Sequence, residues 1–185
     1  MQAIDSRQPA LYETGAGMYF PETYQFKITP RLNPQDKTTL TEILNRIDAE
    51  VVQPGKAYWQ PGKSVCHTLF AQPSYTQADF APQVKAIAKS ISTNIAVVPA
   101  GLALNIYPAN ITKGTGLQWL SQITGISLLE MGGVGDSSSD VDFLQLVGYP
   151  AAPKNATDDV KAVAGYVSPK TDIAGLMDIL DYWQV

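Results

Sequence analysis

Val134-Gly135-Asp136-Ser137-Ser138-Ser139-Asp140 is the stretch on which the reading of this chain turns. An apolar run from Leu128 leads into it, and Val141, Phe143 and Leu144 lead out. Hydrophobic residues before a Gly/Asp/Ser cluster, then at helical spacing after it, describe a strand that turns into a helix. Ligands of open α/β sheets sit in the crevice beyond the carboxyl ends of the strands. Two carboxylates four residues apart at that place suit a hard cation, which takes carboxylate oxygens and keeps water and phosphate as its other ligands. A second reading of the same residues is also open. Asp and Ser are favoured helix N-caps, so Asp136 could serve as a cap and Asp140 as a favourable first-turn charge.

Three further stretches favour the first reading. Glu13-Thr14-Gly15-Ala16-Gly17-Met18-Tyr19 reads as a strand and a turn; Lys113-Gly114 opens a helix after an apolar strand; and Val147-Gly148-Tyr149-Pro150 is followed by Asn155-Ala156 and Val160-Lys161. With the acidic stretch, and in this order, they resemble the haloacid dehalogenase superfamily of phosphatases, in the branch with a large α/β cap. The resemblance implies an α/β fold with a doubly wound, Rossmann-like core and an inserted α/β cap. The core would be residues 1–21 and 109–185, and the cap 22–108. It also implies a hydrolase that uses Mg²⁺ and an aspartyl-phosphate intermediate to act on a small phosphorylated metabolite, of the sugar-phosphate or phosphoglycolate class. By resemblance, Asp136 ligates the metal directly. Asp140 holds a metal-bound water or orients its neighbours, as a catalytic and metal-site residue. Lys113 neutralises the phosphate, and Asn155 hydrogen-bonds near it. His67, the only histidine, lies on a cap strand and is a candidate to face the substrate.

Two departures qualify this picture. Ser139 stands where the family usually has Asn, a shorter side chain with a hydroxyl in place of an amide. The family nucleophile belongs to a D-x-D-x-T motif on a strand that precedes the Glu13 segment, and these 185 residues contain no such motif. Met1-Gln2-Ala3-Ile4 reads like the end of a preceding helix, so the expectation is either a longer frame or a shortened product. The core is therefore expected to lack its N-terminal portion, to be inactive alone, and to expose a sheet edge suited to a homo-oligomer. The competing expectation is a catalytically dead remnant that acts as a ligand-binding or protein-interaction module.

Composition narrows the setting. A net charge of −4 leaves no basic footprint for nucleic acid. No apolar run approaches the roughly 20 residues of a membrane span. One cysteine, Cys66, cannot form an internal disulfide, which fits a cytoplasmic chain.

Element by element, Leu11 to Phe20 reads as a core strand with its exit, and Lys37 to Ile47 as a helix opened by Asn33-Pro34. Gln53 to Lys63 reads as a loop, Ser64 to Ala71 as a strand, and Asp79 to Ser92 as a helix. Ile95 to Pro99 and Leu102 to Tyr107 form two strands around a turn. Lys113 to Thr124 is expected to be helical, with Leu117, Leu120 and Ile123 inward and Gly125 as its stop. Leu128 to Val134 is a strand in which Gly132 and Gly133 either weaken the element or admit a close neighbour. Helices follow over Asp140 to Leu146, Ala156 to Ala164 and Asp172 to Trp183.

Overall fold

The computed structural model describes residues 7–184, which form a mixed α/β protein with two compact units. One unit comprises the described residues up to Lys27 together with those from Thr112 onward; the other is Ile28–Ile111. The expected helix end at Met1 to Ile4 lies outside the described residues.

In the second unit, helix α1 (Pro34–Ile47) begins where Pro34 occupies the first turn and the Asn33 side chain accepts the Asp36 amide at 2.8 Å. A π-helical turn, Asp48–Val52, continues it. Four antiparallel strands follow in the spatial order β4 (Ala57–Trp59), β5 (His67–Ala71), β7 (Ala103–Pro108) and β6 (Ile95–Ala100). One sheet face packs on α1 and on α2 (Ala81–Ile91). Leu40, Ile43, Ile47, Phe80, Val84, Ile87, Leu69, Leu104 and Ile106 form this core. The segment expected to be a loop, Gln53 to Lys63, contains β4, because pairing with β5 outweighs the Gly and Pro breaks on either side. The strand expected from Ser64 starts only at His67. Val65 and Cys66 are both buried, so strict alternation of the two faces fails there.

In the first unit, β1 (Ala10–Tyr12) and β2 (Gly17–Phe20) pair antiparallel, with Ala10 opposite Tyr19, and β3 (Gln25–Ile28) completes a three-stranded sheet. Leu11 to Phe20 is thus a hairpin and not one core strand. It is broken by the 3₁₀ turn Glu13–Gly15, in which Glu13, Thr14 and Gly15 all have positive φ. The parallel sheet is formed elsewhere, in the order β10 (Tyr166–Val167), β9 (Tyr149–Ala152), β8 (Gly132–Val134). Short helices α4 (Val141–Leu144) and α5 (Asp158–Val163) cover one face through Leu144, Ala152, Ala156 and Val160. Helix α6 (Asp172–Trp183) covers the other.

The two glycines of β8 explain that arrangement. A Cβ on Gly132 would lie 2.9 Å from the Trp183 ring of α6, and one on Gly133 would lie 2.8 Å from the Phe143 ring of α4. The glycines admit close neighbours on both faces. They also shorten the strand: Leu128–Glu130 is a 3₁₀ turn, and only Gly132–Val134 is extended. Helix α3 (Lys113–Thr124) ends at Gly125 with φ 72°, as its composition predicts. Ile123, expected to face inward, is 48% exposed, while Leu117 and Leu120 are half-buried. The expected helix from Asp140 starts at Val141, and the expected helix from Ala156 spans Asp158–Val163.

Candidate active site

The site starts from the first turn of α3. Thr112 is its N-cap, and a reciprocal Thr112–Thr115 capping box fixes the entry of the chain. Lys113 is therefore the first helical residue. Its ammonium forms an ion pair with the Asp140 carboxylate and donates to Ser139 Oγ at 3.2 Å. The opposite flank of the same turn meets the hairpin. A Cβ on Gly15 would lie 2.5 Å from the Thr112 carbonyl, and one on Gly116 would lie 2.5 Å from the Gly15 Cα. The Glu13-Thr14-Gly15 turn and the Lys113 helix thus touch through backbone alone. Thr14 at φ 59° is a β-branched residue in the left-handed region, a conformation that costs on the order of 1–3 kcal/mol.

Asp140 is the centre of the arrangement. One oxygen takes Lys113; the other accepts the amides of Asp136 at 3.1 Å and Ser137 at 3.0 Å, and the Ser137 hydroxyl at 2.9 Å. The residue is 6% exposed. Burial pushes its carboxyl upward. The bonds from Lys113 and Ser137 outweigh that effect and hold it below the ordinary carboxylate range. Gly135 makes the fold-back possible, since a Cβ there would meet the Asp140 Cβ at 2.5 Å. The cap reading of the motif is therefore fulfilled in a different form. Ser137 is the N-cap of the Ser138–Asp140 turn and Asp140 supplies the reciprocal acceptor, while Asp136 stands outside.

Asp136 follows Gly135 directly beyond β8. Its carboxylate is exposed, its amide donates to Asp140, and its carbonyl accepts the Thr157 amide at 3.0 Å. Lys113, Ser139 and Asp140 are thus brought together, with Asp136 joined to them through its backbone. Asn155 is exposed and exchanges two 3.0 Å bonds with Asp172, tying the end of β9 to the start of α6. His67 lies in the other unit, half-buried, with its ring edge-on to Trp59 at 6.3 Å.

Sequence reasoning missed Asp142. Its Oδ2 accepts the Gly114 amide at 2.8 Å, on the turn that presents Lys113, and its Oδ1 is buried without a hydrogen bond among the described residues. The signal was a third carboxylate two positions after Asp140. Asp159 also closes on the motif, accepting from the Thr157 and Ser138 side chains, which hold its pKa below the ordinary carboxylate range.

Among the described residues no group of three His, Cys, Asp or Glu converges as a ready-made metal cage. The donors present still fit a hard divalent cation. Asp136 offers a free-standing carboxylate at the strand end, and such ions need only one or two protein carboxylates.

The sequence profile of the haloacid dehalogenase-like hydrolases matches residues 10–180. This chain belongs to that family. It is 36% identical over 94 residues to a phosphoglycolate phosphatase of Methanothrix thermoacetophila, which covers 51% of this chain and 42% of that protein. It is 32% identical over 88 residues to a phosphoglycolate phosphatase of Archaeoglobus fulgidus, covering 48% and 40%. The chain thus spans about two-fifths of the length of these relatives. Among solved structures, Thermoplasma acidophilum 0175 superposes with a TM-score of 0.72 at 20% identity, covering 98% of this chain and 74% of that one. A haloacid dehalogenase-like hydrolase from B. subtilis gives 0.70 at 16%, covering 98% and 81%. These structures share the fold. No helix among the described residues is long and apolar enough to cross a membrane.

Proposed function

We propose that this chain carries the cation- and phosphate-holding part of a phosphatase site for a small phosphorylated metabolite, of the phosphoglycolate or sugar-phosphate class. The observation that carries this reading is the Lys113–Ser139–Asp140 cluster beside the exposed Asp136, all at the carboxyl end of β8. Phosphoryl transfer depends chiefly on positioning and on fixed positive charge. Lys113 supplies such a charge, and Asp140 and Ser139 hold its ammonium in place. Asp136 is the residue that would hold Mg²⁺, with Asp140 fixing the Asp136 backbone through the amide bond at 3.1 Å. When bound, Mg²⁺ would neutralise phosphate charge and orient the phosphoryl group. Ser139, in place of the family's Asn, completes the hold on Lys113. The relatives' names support the phosphoglycolate class over other small phosphates.

The phosphorylated nucleophile belongs to a motif that these residues do not contain, so the chain by itself is expected to bind without turning over. We place it in the cytosol, where its single thiol and its substrate class belong. With Mg²⁺ present, inorganic phosphate should shift the amide resonances of Lys113–Thr115 and Gly135–Asp140, and Lys113→Ala should abolish the shifts. No phosphate should be released from 2-phosphoglycolate. Unchanged spectra would overturn the site; turnover lost in Asp136→Asn would overturn the claim that the chain lacks its nucleophile.

A further inference from the structure

Asp142, a half-buried residue of α4, is bonded to the turn that carries Lys113. Its Oδ2 accepts the amide of Gly114, the residue that follows Lys113. The approach is also one of backbone. A Cβ on Gly114 would lie 2.8 Å from Asp142 Oδ2, 3.1 Å from the Asp142 carbonyl oxygen and 3.2 Å from its carbonyl carbon. A residue without a side chain is what lets the first turn of α3 come so near α4. Asp142 is in turn held by its neighbours in the sequence. The Phe143 ring and Leu144 lie against Gly133, and Leu144 also lies against Gly135, so α4 is seated on the end of β8.

The other oxygen gives a second observation. Asp142 Oδ1 is buried and has no hydrogen bond among the described residues. A buried acceptor left unpaired costs stability, so this carboxylate is a poor choice for holding the fold alone. It is also no ligand for a cation, because Oδ2 is taken by the Gly114 amide and Oδ1 is shut off from solvent. What it does hold is one end of Lys113. Two carboxylates two positions apart grip that residue: Asp140 takes the ammonium, and Asp142 takes the amide next to the Lys113 backbone. The Lys113 side chain is 39% exposed. An ion pair with such a partner is weak against the rotamer freedom of a long side chain. The place of the ammonium therefore depends on where the helix turn is set.

We propose that Asp142 is the positioning residue of Lys113. Through the Gly114 amide it sets the first turn of α3 at the place from which the Lys113 ammonium meets phosphate, and it touches neither phosphate nor metal itself. The inference rests on the proposed function, which gives Lys113 that task. The Gly15 contact on the opposite flank of the turn completes the grip, so α3 starts between the hairpin on one side and α4 on the other. A group supported in this way by its surroundings keeps the geometry that binding requires.

The test uses the full 185-residue chain, with Mg²⁺ and inorganic phosphate as the probe. NMR takes two readings: the phosphate affinity, and the resonance of the Lys113 ammonium, which stays sharp only while the ammonium is held. In Asp142→Ala that resonance should broaden away. Phosphate should bind about tenfold more weakly, since a small misplacement of a positioned group costs a large factor. Asp142→Asn keeps an acceptor for the Gly114 amide and should restore both readings. Gly114→Ala, whose methyl would meet Asp142 Oδ2 at 2.8 Å, should repeat the loss from the side of α3, and it carries the test if Asp142→Ala does not fold. An unchanged ammonium resonance or an unchanged affinity in these two variants would overturn the inference. So would an Asp142→Asn chain as impaired as Asp142→Ala. The two proposals fail separately: a native chain that binds no phosphate sinks the site, while the Lys113 resonance still reports on Asp142.

Discussion

Asp140 shows how one side chain can define a site without being its exposed ligand. Its two oxygens take four hydrogen bonds, one of them from a lysine, while it is almost fully buried. Its pKa in the folded chain lies below the ordinary value of about 3.9. The carboxylate therefore contributes stability that is complete above that value and disappears as pH falls through the lowered folded value. Thermal midpoints measured down an acid series should fall for the native chain. In Asp140→Asn the acid slope should flatten, and the neutral-pH stability should drop by about 2 kcal/mol, the order expected for losing charge-assisted bonds to a buried group. Parallel slopes in the two proteins would show that Asp140 is not the titrating group. The sequence marks Asp136, Asp140 and Lys113 as candidates through the family resemblance. It gave no means of seeing that Asp140 would turn back onto the Asp136 amide, because that depends on the missing Cβ at Gly135.

At the scale of elements, glycines decide more than propensities do. In a free helix, Gly116→Ala would stabilise by roughly 1 kcal/mol. Here the new methyl would meet the Gly15 Cα at 2.5 Å, backbone against backbone, so the sign reverses. Gly116→Ala should destabilise the unit by about 1–3 kcal/mol, the cost of overpacking. Denaturant midpoints of the two proteins check this, and a raised midpoint would mean that the hairpin yields. The same logic explains which elements could be read in advance. Helices α1, α3 and α6 carry caps, stops and a 3.6-residue period, and their limits are close to those expected. Residues 11–20 and 128–134 read as single strands in the sequence because alternation shows where a chain is extended and says nothing of its partner. The positive φ values of Glu13 and Thr14 leave no mark in the residue types. The two-residue β10 is too short to register as a pattern.

The whole molecule consists of two units with unequal interiors. Residues 28–111 close an antiparallel sheet on two amphipathic helices through large side chains such as Phe80, Ile43 and Leu104. The parallel sheet of the other unit packs mainly small ones, Ala152, Ala156 and Val160 beside Leu144, and leaves Leu129, Ile173 and Met177 in water. Calorimetry should therefore show more than one transition, the lower one belonging to the unit with the parallel sheet. Phosphate with Mg²⁺ should raise that lower transition alone, because a ligand stabilises only the state that binds it. A single transition that moves as a whole would show that the units unfold together. Family and architecture were legible from four separated stretches. Which strand lies at the sheet edge emerges only once strand order is known.

The backbone contact between Gly15 and Gly116 has a consequence for the history of the chain. Positions a hundred residues apart in the sequence are thereby coupled sterically. A side chain at either position forces the hairpin or the helix to shift, so substitution at one costs stability while the other stays in place. Changes at the two positions are therefore expected to be coupled, each tolerated best with a compensating shift at the other.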